Sequence, residues 1–203
     1  MTGRNDYRTP RPLWNMLNEE FRFDIDATAD SANALTHYYC SKAGRLGDDN
    51  GRCLGDALTF PWHTVARTAW LNPPYSEVPT NGRKRGEALI PKFLQKAVIE
   101  ADRGCRVVAI VPNAQSEGWW QLCEMVREQR ILTPRVNFCD ENNRQVSGCT
   151  FGSAIVIFER GPCGRPVLRW LWNWRVALEQ QVRWWMEGAI SRQEAIADEE
   201  TLG

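Results

Sequence analysis

Apolar positions Leu13, Trp14, Met16 and Leu17 recur at helical spacing behind Pro12, a residue suited to a first turn, and predict an opening helix that gives out near Glu20. Phe21-Arg22-Phe23-Asp24-Ile25-Asp26 then alternates apolar with charged, which predicts a half-buried strand. The small residues of Ala27-Thr28-Ala29-Asp30 follow as a turn; they either let a ligand approach the backbone or simply lead to an N-cap at Asp30 or Ser31. Asn33 to Tyr39 reads as a short helix, and Gly44 to Gly55, rich in Gly, Asp and Asn, as loop. Ala69-Trp70-Leu71 reads as the end of a buried strand. Phe93, Leu94, Ala97, Val98 and Ala101 form one face of a helix that Gly104 closes. Arg106 to Pro112 is almost continuously apolar, as in a strand covered on both faces, so strand, helix and strand make a βαβ unit with a right-handed crossover.

Beyond it, Trp119 to Glu128 predicts another helix, and Ile131 to Phe138 and Phe151 to Phe158 predict two strands joined through the polar residues 140–143. Gly161-Pro162-Cys163-Gly164 closes the core. From Pro166 to Gly188 tryptophans recur at roughly helical spacing, and residues 189–203 are polar and acidic. The chain is thus expected to hold one α/β domain over residues 1–160 and a Trp-rich helical extension over 161–203, whose tryptophans pack against the core or a second copy rather than on bases.

Composition narrows the classes of partner. Lys and Arg together number 25, as do Asp and Glu, so no global field draws this 203-residue chain to nucleic acid or membrane, and any DNA contact must be local. Arg83-Lys84-Arg85, in the loop from Thr80 to Gly86, is the compact basic run, suited to holding phosphates or simply solvated. No stretch has the length of a membrane span and the N-terminus has no apolar signal region, so a cytoplasmic protein is expected. Seven cysteines without a Cys-x-x-Cys pair fit a reduced compartment. His37, Cys40, Cys53 and His63 could be arranged around zinc, but the second pair is too widely spaced for a compact knuckle, and no metal is expected.

The chemistry concentrates where the strand ending at Leu71 breaks into Asn72-Pro73-Pro74-Tyr75. Each proline fixes φ and restricts the residue before it, which leaves a stiff segment at a strand end. Asn72 offers a side-chain carbonyl, Pro73 a backbone carbonyl and Tyr75 a flat ring. Two acceptors beside an aromatic face suit a planar group bearing –NH2. Such an amine is a poor nucleophile, and accepting both its protons supports the positive charge that develops as a methyl group arrives. The plain alternative is a proline-stiffened loop. Asp56, after Gly55, is either an acceptor for a nucleoside amino group or a solvated turn residue.

Asn-Pro-Pro-Tyr resembles the catalytic motif of amino-methyltransferases that use S-adenosylmethionine on DNA adenine, RNA guanine or protein glutamine. Asp6-Tyr7-Arg8-Thr9-Pro10, Phe23 to Asp30 with Asn33, Trp70 to Ser76, Lys96-Ala97 to Glu100, the strand ending at Pro112, Trp119 and Phe151-Gly152-Ser153 follow in an order similar to the phage-type DNA N6-adenine methyltransferases (Dam-like), over about residues 4–159. The resemblance implies a Rossmann-like methyltransferase fold, a mixed sheet with helices on both faces, S-adenosylmethionine as donor and DNA as substrate. It implies catalysis by Asn72, Pro73, Pro74 and Tyr75, and a cofactor site of Tyr7, Thr9, Pro10, Asp26, Ala27, Thr28, Asp56 and Asn72, with the N-terminus of a helix after Asp26 facing the cofactor's carboxylate. Arg83, Lys84 and Arg85 would contact DNA. One departure is the absence of a Phe-x-Gly-x-Gly loop, in whose place stands Ala27-Thr28-Ala29. RNA or protein-glutamine methylation, a DNA-binding module without turnover, and a scaffold assembled through the tail are the alternatives.

Overall fold

The computed structural model describes residues 7–41, 52–75, 89–140, 142–146, 151–161 and 167–186. Helix α1 (Arg11–Phe21) leads into strands β1 (Ile25–Ala29), β2 (Tyr38–Ser41), β3 (Cys53–Asp56) and β4 (Thr68–Leu71). Helix α2 (Leu89–Asp102) and strand β5 (Arg106–Pro112) follow, then β6 (Glu128–Thr133), β7 (Ser153–Phe158) and β8 (Leu168–Asn173), with helix α3 over residues 174–186. The eight strands form one sheet in the order β3-β2-β1-β4-β5-β7-β6-β8. Neighbours run parallel except at β7, which is antiparallel to both β5 and β6. This is the expected Rossmann-like methyltransferase arrangement.

Strand β5 makes clear why its apolar run is unbroken. Val107, Ala109 and Val111 join the cluster that contains Phe93, Leu94, Ala97 and Ala101 of α2. Val108 and Ile110 join the opposite cluster with Leu13, Trp14, Met16 and Leu17 of α1. Successive side chains leave a strand on opposite faces, so a strand between two helical layers needs apolar residues at every position. Parallel pairing of β4 with both β1 and β5 sets Leu71 in the middle of the sheet, and the chain leaves it there into Asn72.

Several boundaries differ from the sequence expectation. Phe21 belongs to α1, which ends when Arg22 adopts a left-handed φ of 55° and Asn18 accepts both the Arg22 N–H on its carbonyl and the Phe23 N–H on its side chain. Strand β1 therefore starts at Ile25 and takes in Ala27-Thr28-Ala29, which is buried strand rather than turn. Residues 31–37 form turns, not a helix: Asp30 and Asn33 close a single turn on themselves, and Tyr38 then starts β2. No helix N-terminus follows Asp26. Residues 53–56 are strand, with Gly55 at a φ of 136° that its missing Cβ allows. Trp119 to Glu128 is a 3-10 segment, Gly118–Met125, that gives way to β6 at Glu128.

The tail is the largest difference. Residues 168–173 pair with β6 over six consecutive positions, so Trp170 and Trp172 lie on a strand, and helix begins only at residue 174. Buried Arg130 ties this strand to α1: its guanidinium lies 5.3, 5.5 and 5.1 Å from the rings of Phe21, Trp170 and Trp172 and bonds to Glu20 and Glu128. Trp172 and Trp174 are buried, whereas Trp170, Trp184 and Trp185 are exposed. Residues 189–203 and the basic run Arg83-Lys84-Arg85 lie outside the described residues.

Candidate active site

Strand β1 brings Thr28 beside the residue that follows β4. Thr28 Oγ1 donates to the Asn72 carbonyl at 2.9 Å and accepts the Asn72 N–H at 3.2 Å, so one hydroxyl fixes both backbone groups of Asn72. The side-chain amide is held from another direction. Asn72 Nδ2 donates to the Tyr7 carbonyl at 2.9 Å and lies 3.4 Å from Thr9 Oγ1. A peptide carbonyl can only accept, so it must face Nδ2, and Oδ1 is thereby left as the outward acceptor. The Tyr7-Arg8-Thr9 segment is itself anchored, since Arg8 and Cys139 exchange both backbone hydrogen bonds at 2.9 Å.

Pro73 and Pro74 are buried, and Tyr75 is half-buried. Tyr75 Oη donates to the Ile110 carbonyl at 3.1 Å, and its ring stands edge-on to Phe138 and Phe151 at 5.9 and 5.7 Å. Tyr7 stacks on Phe138 at 5.6 Å with 15° between planes. Three aromatic rings, of Tyr7, Phe138 and Phe151, therefore gather beside the tetrapeptide and its own Tyr75. The sequence marks Phe151 only as part of the Phe151-Gly152-Ser153 group and Phe138 only as the end of an apolar run, and neither as a site residue.

Next to this group opens a cavity of about 820 Å3, within the size range of cofactor sites. Tyr7, Thr9, Pro10, Asp26, Thr28 and Asn72 all line it, from parts of the chain up to 65 residues apart. Asp26 is a buried carboxylate whose oxygens accept the N–H groups of Thr28 and Leu35, each at 3.2 Å. Ala27 does not line the cavity, because its side chain points into the α2-side core. Asp56 does not line it either. It sits at the carboxyl end of β3, where its Oδ1 accepts the N–H groups of Leu58 and Thr59 at 3.0 Å. Trp174, Arg175, Leu178 and Glu179 of α3 are on the cavity wall, a contribution that no sequence signal marks.

Elsewhere Glu100 is fully buried and takes the His63 N–H at 2.8 Å, His63 Nδ1 at 2.7 Å and Lys96 Nζ at 2.6 Å. Burial pushes its carboxyl up, but the bonds from Lys96 and His63 outweigh it and hold the group below the ordinary carboxylate range. His63 is thus engaged away from His37, Cys40 and Cys53, and no three His, Cys, Asp or Glu side chains gather as a metal site among the described residues. Burial, chiefly, pushes the thiols of Cys40, Cys105 and Cys123 up to about 12, which leaves them protonated and unreactive at neutral pH.

The model of the DNA N-6-adenine-methyltransferase (Dam) family matches residues 2–167. That segment contains the tetrapeptide, the Thr28 and Tyr7 contacts that hold it, and seven of the eight strands. The chain belongs to this family. As a family member it is a DNA adenine methyltransferase in general terms, and DNA is its substrate class. None of the curated proteins matches the chain. Among the described residues no helix is long and apolar enough to cross a membrane.

Proposed function

We propose that the chain transfers a methyl group from S-adenosylmethionine to N6 of a specific adenine in DNA, with the target base flipped out of the duplex beside Asn72-Pro73-Pro74-Tyr75. The observation that carries this reading is the orientation of Asn72. Its Nδ2 is occupied by the Tyr7 carbonyl, so Oδ1 is presented as an acceptor at the cavity edge. With its backbone carbonyl already taken by Thr28, the second acceptor is the carbonyl of Pro73. Both protons of an exocyclic amine are matched in this way, and Tyr75, held by its bond to Ile110, supplies the ring for the base.

The cavity suits the donor on three counts: its volume, a lining that mixes aromatic and polar groups, and the buried carboxylate of Asp26, which favours a cation. Bound there, S-adenosylmethionine supplies a methyl group on positively charged sulfur. Tyr7, Thr9, Pro10, Asp26 and Thr28 would hold it, and Asn72 would stand between cofactor and base. Asp56 shares the carboxyl edge of the sheet with Asn72, where open α/β sheets take their ligands, and is proposed to accept from the cofactor's adenine amino group. As N6 takes the methyl group it gains positive charge, which Asn72 Oδ1 and the Pro73 carbonyl stabilise until one proton leaves to solvent.

Incubation with methyl-labelled S-adenosylmethionine and unmethylated DNA, RNA or protein, followed by nucleoside and amino-acid mass analysis, tests the reading. N6-methyladenine in DNA is expected. Label confined to RNA or to glutamine would overturn the substrate, and no label on any of them would overturn turnover itself.

A further inference from the structure

The cavity is not completed by the family-matched segment. Its outer wall carries Trp174, Arg175, Leu178 and Glu179 of α3, all beyond residue 167. This wall is built into the fold rather than resting on it. The helix starts where Asn173, the last residue of β8, accepts the Val176 N–H on Oδ1 at 3.2 Å. Trp174 is buried and donates from Nε1 to the Pro134 carbonyl at 2.9 Å, and about two turns further on Gln181 Nε2 bonds to Glu19 of α1.

Held in this way, α3 presents one cation and one anion to the cavity. Arg175 and Glu179 are four residues apart, hence neighbours on one helix face. The order Arg before Glu is the weaker one for pairing along a helix, and the two form no ion pair with each other. Among the described residues neither enters an ion pair with any other group; the guanidinium of Arg175 lies only against the ring of Trp174, at 5.5 Å. Two opposite charges side by side on a cavity wall, neither ion-paired among the described residues, match a ligand end that is itself a zwitterion. S-Adenosylmethionine has one such end, an amino acid with a carboxylate next to an ammonium.

Resting on the cofactor reading above, we propose that Arg175 and Glu179 bind the amino-acid end of S-adenosylmethionine, Arg175 taking its carboxylate and Glu179 its ammonium, so that the tail completes the cofactor site. Both side chains are exposed, and replacing them leaves the buried anchors Trp172 and Trp174 in place.

The test is calorimetric titration of the full-length chain and of Arg175→Ala/Glu179→Ala with three ligands. S-Adenosylmethionine and S-adenosylhomocysteine carry the amino-acid end; 5′-methylthioadenosine lacks it. For the double variant, affinity for the first two is expected to fall about tenfold or more, with little change for the third and an unchanged melting temperature. Unchanged affinity for all three would overturn the assignment while leaving the cofactor reading intact. An equal loss for all three would also overturn it, because a loosened cavity would not discriminate by the amino-acid end. If the unmodified chain binds neither of the first two ligands, the cofactor reading itself fails and takes this assignment with it.

Discussion

Catalysis at a single amide depends on which of its two ends faces the reacting amine. In Asn72 that choice is made by the Tyr7 carbonyl, with Thr9 beside it, while Thr28 fixes the Asn72 backbone; these three residues, expected at the cofactor site, form the frame of the tetrapeptide. Asn72→Ala removes one acceptor for the amine, so methyl transfer is expected to fall about 100- to 1000-fold. Cofactor affinity measured by calorimetry should change far less, and turnover near that of the unmodified enzyme would rule out the proposed role. Thr28→Val keeps the volume but removes both bonds to the Asn72 backbone; a displacement of about 1 Å there is worth on the order of 100-fold in rate. A rate within twofold of the unmodified enzyme would show that the prolines alone hold the strand end. Asp56→Ala should weaken cofactor binding without affecting this frame; equal affinity would leave Asp56 as a turn-capping residue. The tetrapeptide and Asp26 were legible in the sequence because their chemistry is local. The frame was not, because its partners come together only when β1 pairs with β4 and Arg8 pairs with Cys139.

Elements were legible to the extent that tertiary packing agreed with local pattern. Helices α1 and α2 and strand β5 follow their periodicity, since each faces layers that match it. Ala27-Thr28-Ala29 has no strand signal of its own and is strand because β2 and β4 flank it. Between elements, Glu100 of α2 links to His63 in the 3-10 turn before β4, which joins two connections of the sheet through one buried carboxylate. Its folded value lies below the ordinary 4.5, so this contribution to stability is complete above about pH 4.5 and is lost as pH falls through the depressed folded value. Glu100→Gln should therefore be less stable at pH 7, costing about 1–3 kcal/mol for the bonds it can no longer make as a charge, yet lose less on acidification. Melting curves taken between pH 7 and pH 3 measure both effects. If variant and unmodified chain lose stability in parallel below pH 4.5, Glu100 is not the group responsible.

At the scale of the molecule, the tail takes part in the sheet. Glycines and a proline follow residue 160, and the tryptophans beyond recur at roughly helical spacing, a pattern that predicts a helical extension. In the folded chain the same segment first completes the sheet, with β8 along β6, and then covers one core face with Trp172 and Trp174. Tryptophan truncation in a core costs about 3–5 kcal/mol, so losing both removes about 6–10 kcal/mol. That is comparable with the roughly 5–15 kcal/mol by which a domain is stable. The loss would also uncover β6 as a bare edge and leave Arg130 without two of the rings that surround it. A chain ending at Arg160 is thus expected to lack a cooperative thermal transition by circular dichroism and to aggregate by light scattering. A chain ending instead at Asn173 keeps β8 and Trp172, and should retain a cooperative transition at lower temperature while losing cofactor affinity through the missing cavity wall. The opposite result for the shorter chain, a cooperative melt within a few degrees of the full chain together with monomeric scattering, would mean that the family-matched segment folds alone and that β8 is an addition to an already complete sheet.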